Sequence, residues 1–261
     1  MLLDRFQLKE RVAIVTGAGR GIGQGSALAL AEMGAHVVCA ARTPDQLAET
    51  CERARALGVR AVAVPCDVND RAQLQALVAR AVDEFGRIDV LVNNAGGTPP
   101  LAALETSEEM FEEAFHFNVT TAFAMTRLVV PHMLQHDGGA IVNIASAAGR
   151  LVQRGFAAYG TAKAALSFLT KLLGAEFAPR VRVNALAVGA VMTSALAPFL
   201  DESLKGQMEA LTPMRRLGEV EDVALAVLYL ASPASSWVTG KVFEVDGGTE
   251  TTNWPFHLPD L

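Results

Sequence analysis

Residues 11–23 read RVAIVTGAGRGIG: a β-branched run, a glycine-rich turn and the opening of an alanine-rich stretch. The consecutive apolar residues Val12, Ala13, Ile14 and Val15 suit a strand covered on both faces. Gly17, Gly21 and Gly23 then let the backbone come close to a bound group, and the N-terminus of the following helix offers that group a partial positive charge. Strand, turn and helix in this order suit a nucleotide phosphate. The spacing is not GxGxxG, and a tight turn that uses glycine for its geometry alone is the competing reading.

The rhythm of this first unit recurs. Further β-rich runs begin at Ala35, Arg60, Ile88, Gly139, Val181 and Lys241, and amphipathic stretches lie between the runs at roughly 21–34, 44–58, 70–86, 107–136, 156–178 and 219–231. Seven strands joined by six crossovers predict an α/β fold, a doubly wound parallel sheet with helices on both faces, formed as one domain over residues 1–261. The segment at about 189–218 breaks the rhythm and is a candidate lid. Ligands of such sheets sit beyond the carboxyl ends of the strands, so the loops after Thr16, Ala40, Cys66, Val92, Ala145 and Ala187 should surround one crevice.

Composition narrows the function classes. A net charge of −6 with no basic run argues against a nucleic-acid or anionic-membrane surface. The longest apolar runs, such as VALAVLYLA from Val223, are about half of a membrane span. Cys39, Cys51 and Cys66 form no CxxC pair and read as packing residues with reduced thiols. The opening MLLDRFQLKER lacks the apolar core of a secretory leader, so a cytoplasmic protein is expected, with no metal site.

Around the crevice the residues divide into two groups. On the nucleotide side, the second strand ends without the acidic residue that binds the ribose of NAD; Ala41 and Arg42 stand there instead. The Arg42 guanidinium, and Arg20 in the glycine turn, can pair with a 2′-phosphate, which favours NADP and keeps NAD as the alternative. Asp67 either accepts from an adenine amino group or caps the helix after it. Asn93 and Asn94 in NNAG either bind ribose or fix neighbouring strands. On the other side, YGTAK places Tyr159 and Lys163 four residues apart, on one face of a helix, where a cation favours the phenolate and makes the tyrosine a usable acid or base.

The ordered set TGAGRGIG, CDV, NNAG, Asn118 in FNVT, Ser146 in IVNIASAAG, YGTAK and RVNALAVGAVMT resembles the short-chain dehydrogenase/reductase family from about residue 11 to 248. The resemblance implies a Rossmann fold, with Tyr159 as proton donor or acceptor and Ser146 holding the substrate oxygen. Lys163 would bind the nicotinamide ribose and lower the tyrosine pKa, and Asn118 would support a water relay to it. Gly17, Arg20, Gly21, Ile22, Gly23, Arg42, Asp67, Val68, Asn93, Ala95, Gly96, Gly189, Val191 and Thr193 would join Tyr159 and Lys163 in contacting the cofactor. One departure is Val188, where the family usually carries proline.

The implied reaction interconverts a secondary alcohol and a ketone on an apolar substrate. Met192, Leu196, Phe199, Leu200, Met208, Leu211 and Met214 of the lid could cover such a molecule, or could pack against neighbouring helices. From Thr193 through SPASSWVTG the chain is most similar to bacterial hydroxysteroid dehydrogenases, notably those acting at the 7α position. The runner-up is a 3-oxoacyl thioester reductase, whose carrier would need a basic patch; Arg150 and Arg154 are the candidates. A nucleotide-binding redox sensor without turnover is a reading of another class. Members of the family are usually tetramers, so a homotetramer is expected, and the aromatic tail TTNWPFHLPDL favours docking on a neighbour over disorder.

Overall fold

The computed structural model describes residues 1–194, 196–197 and 200–255; Phe199 of the candidate lid and Phe256 and Pro259 of the tail lie outside them. Seven strands, β1 (Val12–Thr16), β2 (His36–Ala41), β3 (Ala61–Pro65), β4 (Val90–Asn93), β5 (Gly139–Ser146), β6 (Val181–Val188) and β7 (Val242–Val245), form one sheet in the order β3-β2-β1-β4-β5-β6-β7. Every pairing is parallel. The chain winds outward from β1 in one direction and from β4 in the other, so the expected doubly wound Rossmann fold is present, with its switch point between β1 and β4.

The helices are α1 (Gly21–Glu32), α2 (Pro44–Ala56), α3 (Arg71–Phe85), α4 (Glu108–Phe115), α5 (Thr121–Leu134), α6 (Ala157–Glu176), α7 (Glu202–Leu211) and α8 (Val220–Ala231). Alternation along β1 shows how two layers are fed from one strand. Ala13 and Val15 pack with Leu30, Leu47 and Val227 of α1, α2 and α8, whereas Val12 and Ile14 pack with Leu77 and Met133 of α3 and α5. All five β1 residues are buried, as a strand covered on both faces requires.

Two polar arrangements index the sheet. Asp89, 4% exposed, accepts from the Val12 N–H at 2.9 Å and is held by the Arg11 and Arg87 guanidinium groups, whose donors hold its carboxyl below the usual range despite burial. Across β4 and β5, Asn93 Nδ2 donates to Asn143 Oδ1 at 2.9 Å, and Asn143 Nδ2 donates to Thr170 Oγ1 of α6 at 2.9 Å. A buried amide left without these partners would cost about 1–3 kcal/mol, so the chain of bonds fixes both strand register and the placement of α6.

The structure departs from the sequence expectation at residues 107–136. Instead of one helix, α4 and α5 are separated by a π-helical turn over His116–Thr120 that carries Asn118. Its physical cause is local: Asn118 Nδ2 donates to the Ala114 carbonyl at 2.8 Å, and Oδ1 turns outward to accept from the Gly97 N–H at 2.8 Å. The excursion after β6 is anchored at its base by a bridge between Val191 and Gly218, where the Met192 N–H donates to the Gly218 carbonyl at 2.8 Å and the Gly218 N–H to that of Ala190 at 2.9 Å. It contains α7, whose Met208 is fully buried. Among the described residues no helix is long and apolar enough to cross a membrane.

Candidate active site

The nucleotide side of the crevice is shaped by close backbone approaches. Gly17 and Gly21 have φ values of 66° and 55°, in the left-handed region that favours glycine. A Cβ at Gly23 would lie 2.2 Å from the Gly17 carbonyl oxygen, so the turn folds back on the first turn of α1. Arg20 is the N-cap of α1, with no side-chain cap on the helix, which leaves the first amides, including that of Ile22, available to an anion. Arg20 and Arg42 are both exposed, Arg42 one residue beyond the end of β2.

Asp67 and the two asparagines fall differently. Asp70, not Asp67, is the N-cap of α3, accepting from the Ala72 and Gln73 N–H groups. Asp67 instead closes a turn by accepting from the Asn69 N–H at 3.0 Å, which removes the capping reading for it; Val68 beside it is buried at 7% exposure. Asn93 Nδ2 donates to Asn143 Oδ1 at 2.9 Å, so this side chain ties β4 to β5, the second of the two roles the sequence offers for it. Asn94 donates to the Thr16 and Gly17 carbonyls at 3.0 and 3.3 Å and is structural. Thr16 Oγ1 in turn accepts from the Asn94 and Ala95 N–H groups at 3.0 and 3.1 Å, which fixes the path of Ala95 and Gly96.

Gly96 marks where the two halves meet. A Cβ there would lie 2.8 Å from Asn118 Oδ1 and 3.1 Å from Lys163 Nζ, so the asparagine and the lysine converge on one bare stretch of backbone. Lys163, 4% exposed, donates to the Ile144 carbonyl of β5 at 2.8 Å, and its Nζ stands 5.6 Å from the Tyr159 ring centroid. Tyr159 is half-buried, one turn earlier on α6. Ser146 ends β5 beside it, with Oγ accepting from the Ala148 N–H at 3.2 Å. The structure therefore brings Ser146, Tyr159, Lys163 and Asn118 to one place at the carboxyl edge of the sheet.

The electrostatics differ from the expected lowering of the tyrosine pKa by its lysine. Burial pushes the Tyr159 phenol above its ordinary value, with the nearby Ser146 hydroxyl opposing it, and burial lowers Lys163 from 10.5 to about 8. Desolvation wins because Nζ is turned toward the Ile144 carbonyl and not toward the phenol oxygen. A measurable consequence follows. Between pH about 8 and 10.5 the folded lysine has released its proton while the unfolded one holds it, so unfolding takes up a proton. The stability of the wild type relative to Lys163→Met should then rise with pH across that window, by roughly 3 kcal/mol in all. Urea unfolding of both proteins at several pH values checks this; a constant difference would contradict it.

On the far side, Gly189 donates its N–H to the Val245 carbonyl at 3.0 Å, and Val188 lies in register with Ser146 and Val245, so β6 runs regularly to its end without the family's proline. Val191 is buried at the base of the excursion. Thr193 Cγ2 lies 3.5 Å from where a Cβ on Gly21 would be, which puts Thr193 against the glycine turn. Arg150, a candidate for a carrier-binding patch, is instead paired with Asp246 at 2.6 Å, Glu244 at 3.2 Å and Glu250 at 3.4 Å. In the described part of the tail, Trp254 meets Phe156 of the same chain edge-on at 5.7 Å. Sequence reasoning passed over Gly97, Thr16 and Phe156; of these, only the aromatic three residues before Tyr159 left a signal. Among the described residues, no group of three or more His, Cys, Asp or Glu side chains is placed to hold a metal ion.

A fold and a site of this kind define a dinucleotide-dependent oxidoreductase, and comparison with known proteins agrees. A family model described as "Enoyl-(Acyl carrier protein) reductase" matches residues 17–250. The chain belongs to the short-chain dehydrogenase/reductase family. It is 49% identical to an uncharacterized oxidoreductase of Mycobacterium tuberculosis (strain CDC 1551 / Oshkosh), over 100% of both chains. It is 37% identical to the 7α-hydroxysteroid dehydrogenase of Escherichia coli (strain K12), over 94% of this chain and 96% of that protein. A solved structure of 7α-hydroxysteroid dehydrogenase complexed with NADH and 7-oxo glycochenodeoxycholic acid superposes with a TM-score of 0.91 at 36% identity, covering 95% of this chain and 97% of that one.

Proposed function

We propose that this protein interconverts a secondary alcohol and a ketone on an apolar substrate of the hydroxysteroid class, with NADP preferred over NAD. The observation that carries this reading is the meeting of Ser146, Tyr159 and Lys163 at the carboxyl edge of the sheet, with Lys163 Nζ 5.6 Å from the phenol ring. The glycine turn, the α1 terminus without a side-chain cap and the bare backbone at Gly96 fit a dinucleotide, because each would be filled by a Cβ or a capping side chain otherwise. Gly17, Gly21, Ile22 and Gly23 would hold its phosphates, Arg20 and Arg42 a 2′-phosphate, Asp67 and Val68 the adenine end, and Ala95, Gly96, Gly189, Val191 and Thr193 the nicotinamide end. When bound, the nicotinamide supplies or accepts the hydride.

The chain's own groups manage the proton. In the alcohol-forming direction Tyr159 gives its phenolic proton to the carbonyl oxygen, and Ser146 donates a hydrogen bond to the same oxygen as charge develops on it. Lys163, protonated at neutral pH, would hold ribose hydroxyls and its charge would favour release of the Tyr159 proton, and Asn118 Oδ1 beside it is the acceptor that a relaying water would use. Ion pairing of Arg150 removes one of the two cations that a thioester carrier would need, which favours the steroid over the 3-oxoacyl reading.

The excursion between Val191 and Gly218 serves as lid, and the whole chain acts as one catalytic domain. Exposed apolar side chains on α4 and α6, Phe111, Phe115, Phe168 and Leu172, suit burial between subunits of a homotetramer. Three buried free cysteines fit a reducing cytoplasm.

Absorbance at the reduced nicotinamide band tests the reading, with NADP and NAD each offered 7α-hydroxysteroids and, separately, a 3-oxoacyl thioester. Steroid-dependent change, larger with NADP, is expected. Turnover of the thioester alone would replace the substrate class, and cofactor binding without any turnover would favour a redox sensor.

A further inference from the structure

The last described residues run across the substrate side of the crevice and are fastened along their length. Thr249 Oγ1 donates to the Asp246 carbonyl at 2.7 Å, and Arg150 donates to the Thr249 carbonyl while pairing with Asp246 and Glu250. Thr252 Oγ1 donates to Gln153 Oε1 at 2.8 Å, and Asn253 Nδ2 donates to Thr212 Oγ1, just past the end of α7, at 2.8 Å. The strap therefore ties the loop that follows Ser146 to the helix of the excursion. Its end is fixed by the Trp254 N–H, which donates to Thr252 Oγ1 at 3.1 Å.

Beyond these clamps the aromatic rings form a column. Trp254 meets Phe156 at 5.7 Å with an interplanar angle of 81°, and Phe156 meets Tyr159 at 6.0 Å and 62°. Both contacts have the directional edge-to-face geometry of aromatic pairs. Phe156 is the N-cap of α6, so its ring stands one turn before Tyr159 and covers one side of it. The other polar neighbours of the phenol are Ser146 and Lys163, both already given roles in the proton step.

We propose that Trp254 is a positioning residue for Tyr159, acting through Phe156: the strap of residues 249–254 presses the aromatic column onto the phenol and keeps water from it. This rests on the reading of Tyr159 as proton donor and acceptor. A merely structural tail would leave the phenol's surroundings unchanged when its ring is removed.

The chain has two tyrosines, so in a Tyr229→Phe background Tyr159 is the only phenol, and its ionisation can be followed by tyrosinate absorbance without any substrate. Removing the indole as Trp254→Ala should admit water and lower the midpoint by about one pH unit, since burial is what raises it. Trp254→Phe, which keeps a ring, should restore the wild-type midpoint. In turnover, Trp254→Ala should lose about tenfold in kcat with the cofactor Kd unchanged, and Trp254→Phe should recover it. Where the alanine variant fails to fold, Trp254→Leu, which keeps apolar volume without a ring, gives the same readouts. An unmoved midpoint with unmoved kcat would overturn the proposal, as would equal impairment of the alanine and phenylalanine variants. The titration needs no turnover. A shifted midpoint with full activity in Tyr159→Phe would leave the column in place and reject the catalytic role, whereas an unshifted midpoint with an inactive Tyr159→Phe would do the reverse.

Discussion

Tyr159→Phe is expected to lower kcat by about 10³-fold or more, within the range general acid–base groups contribute, while the Kd for the cofactor stays within about twofold. The phenylalanine ring keeps the edge-on contact with Phe156 and removes one hydroxyl, so the packing of α6 survives. On the proposed mechanism the lost group is the proton carrier. In that mechanism the oxygen that gains or loses charge would then be left with the Ser146 hydroxyl alone. Steady-state rates with the best substrate, set beside cofactor titration by fluorescence, make the measurement. Residual turnover near the wild-type rate would remove Tyr159 from the mechanism, and a parallel collapse of cofactor binding would make it a structural residue.

The second large effect concerns the choice of cofactor. Arg42 is exposed directly after β2, and Ala41 before it faces the glycine turn, with its Cβ 3.5 Å from where a Cβ on Gly19 would lie. A guanidinium there would meet a 2′-phosphate with charge-assisted hydrogen bonds worth roughly 1.5–3 kcal/mol, or about ten- to a hundredfold in affinity. Arg42→Asp exchanges that donor for an acceptor, which repels phosphate and accepts from both ribose hydroxyls. The expected result is a fall in kcat/KM with NADP and a rise with NAD, reversing the ratio by about 10²-fold or more. The solved relative with NADH bound shows that the fold accommodates the unphosphorylated cofactor. An unchanged ratio would assign Arg42 to solvent and remove it from the choice of cofactor.

Residues with repeated, one-directional demands were the ones legible beforehand. The seven strands announced themselves because a sheet covered on both faces asks for apolar runs wherever it passes, and the observed order confirms the winding. The pairing of Tyr159 with Lys163 was readable because helical spacing fixes which side chains share a face. Choices between chemically equal neighbours were not readable. Asp67 and Asp70 are both acids before one helix, and only chain direction makes Asp70 the cap. Asn93 and Asn94 are identical side chains on opposite sides of a strand end, and the pleat sends the first beneath the sheet. The π-helical turn at Asn118 left no local signal because one of the bonds that hold it goes to the Gly97 N–H, far away in the chain. The partners of Arg150 and of Trp254 lie about a hundred positions away, beyond anything local spacing can report.

The bridge between Val191 and Gly218 has a consequence for how such a chain changes over time. A segment whose two ends meet at one bridge is topologically a cassette. Doubling the length of a flexible loop costs only about 0.6 kcal/mol in closure entropy, so length changes in the connections flanking α7 cost little, whereas α7 itself is held by its buried Met208. If this segment covers the substrate as proposed, selection can rewrite it to suit a new molecule while the strand ends, the glycine turn and the residues around Tyr159 stay as they are. One stretch of sequence is thus free to drift in what it accepts, and the remainder is held to what it does.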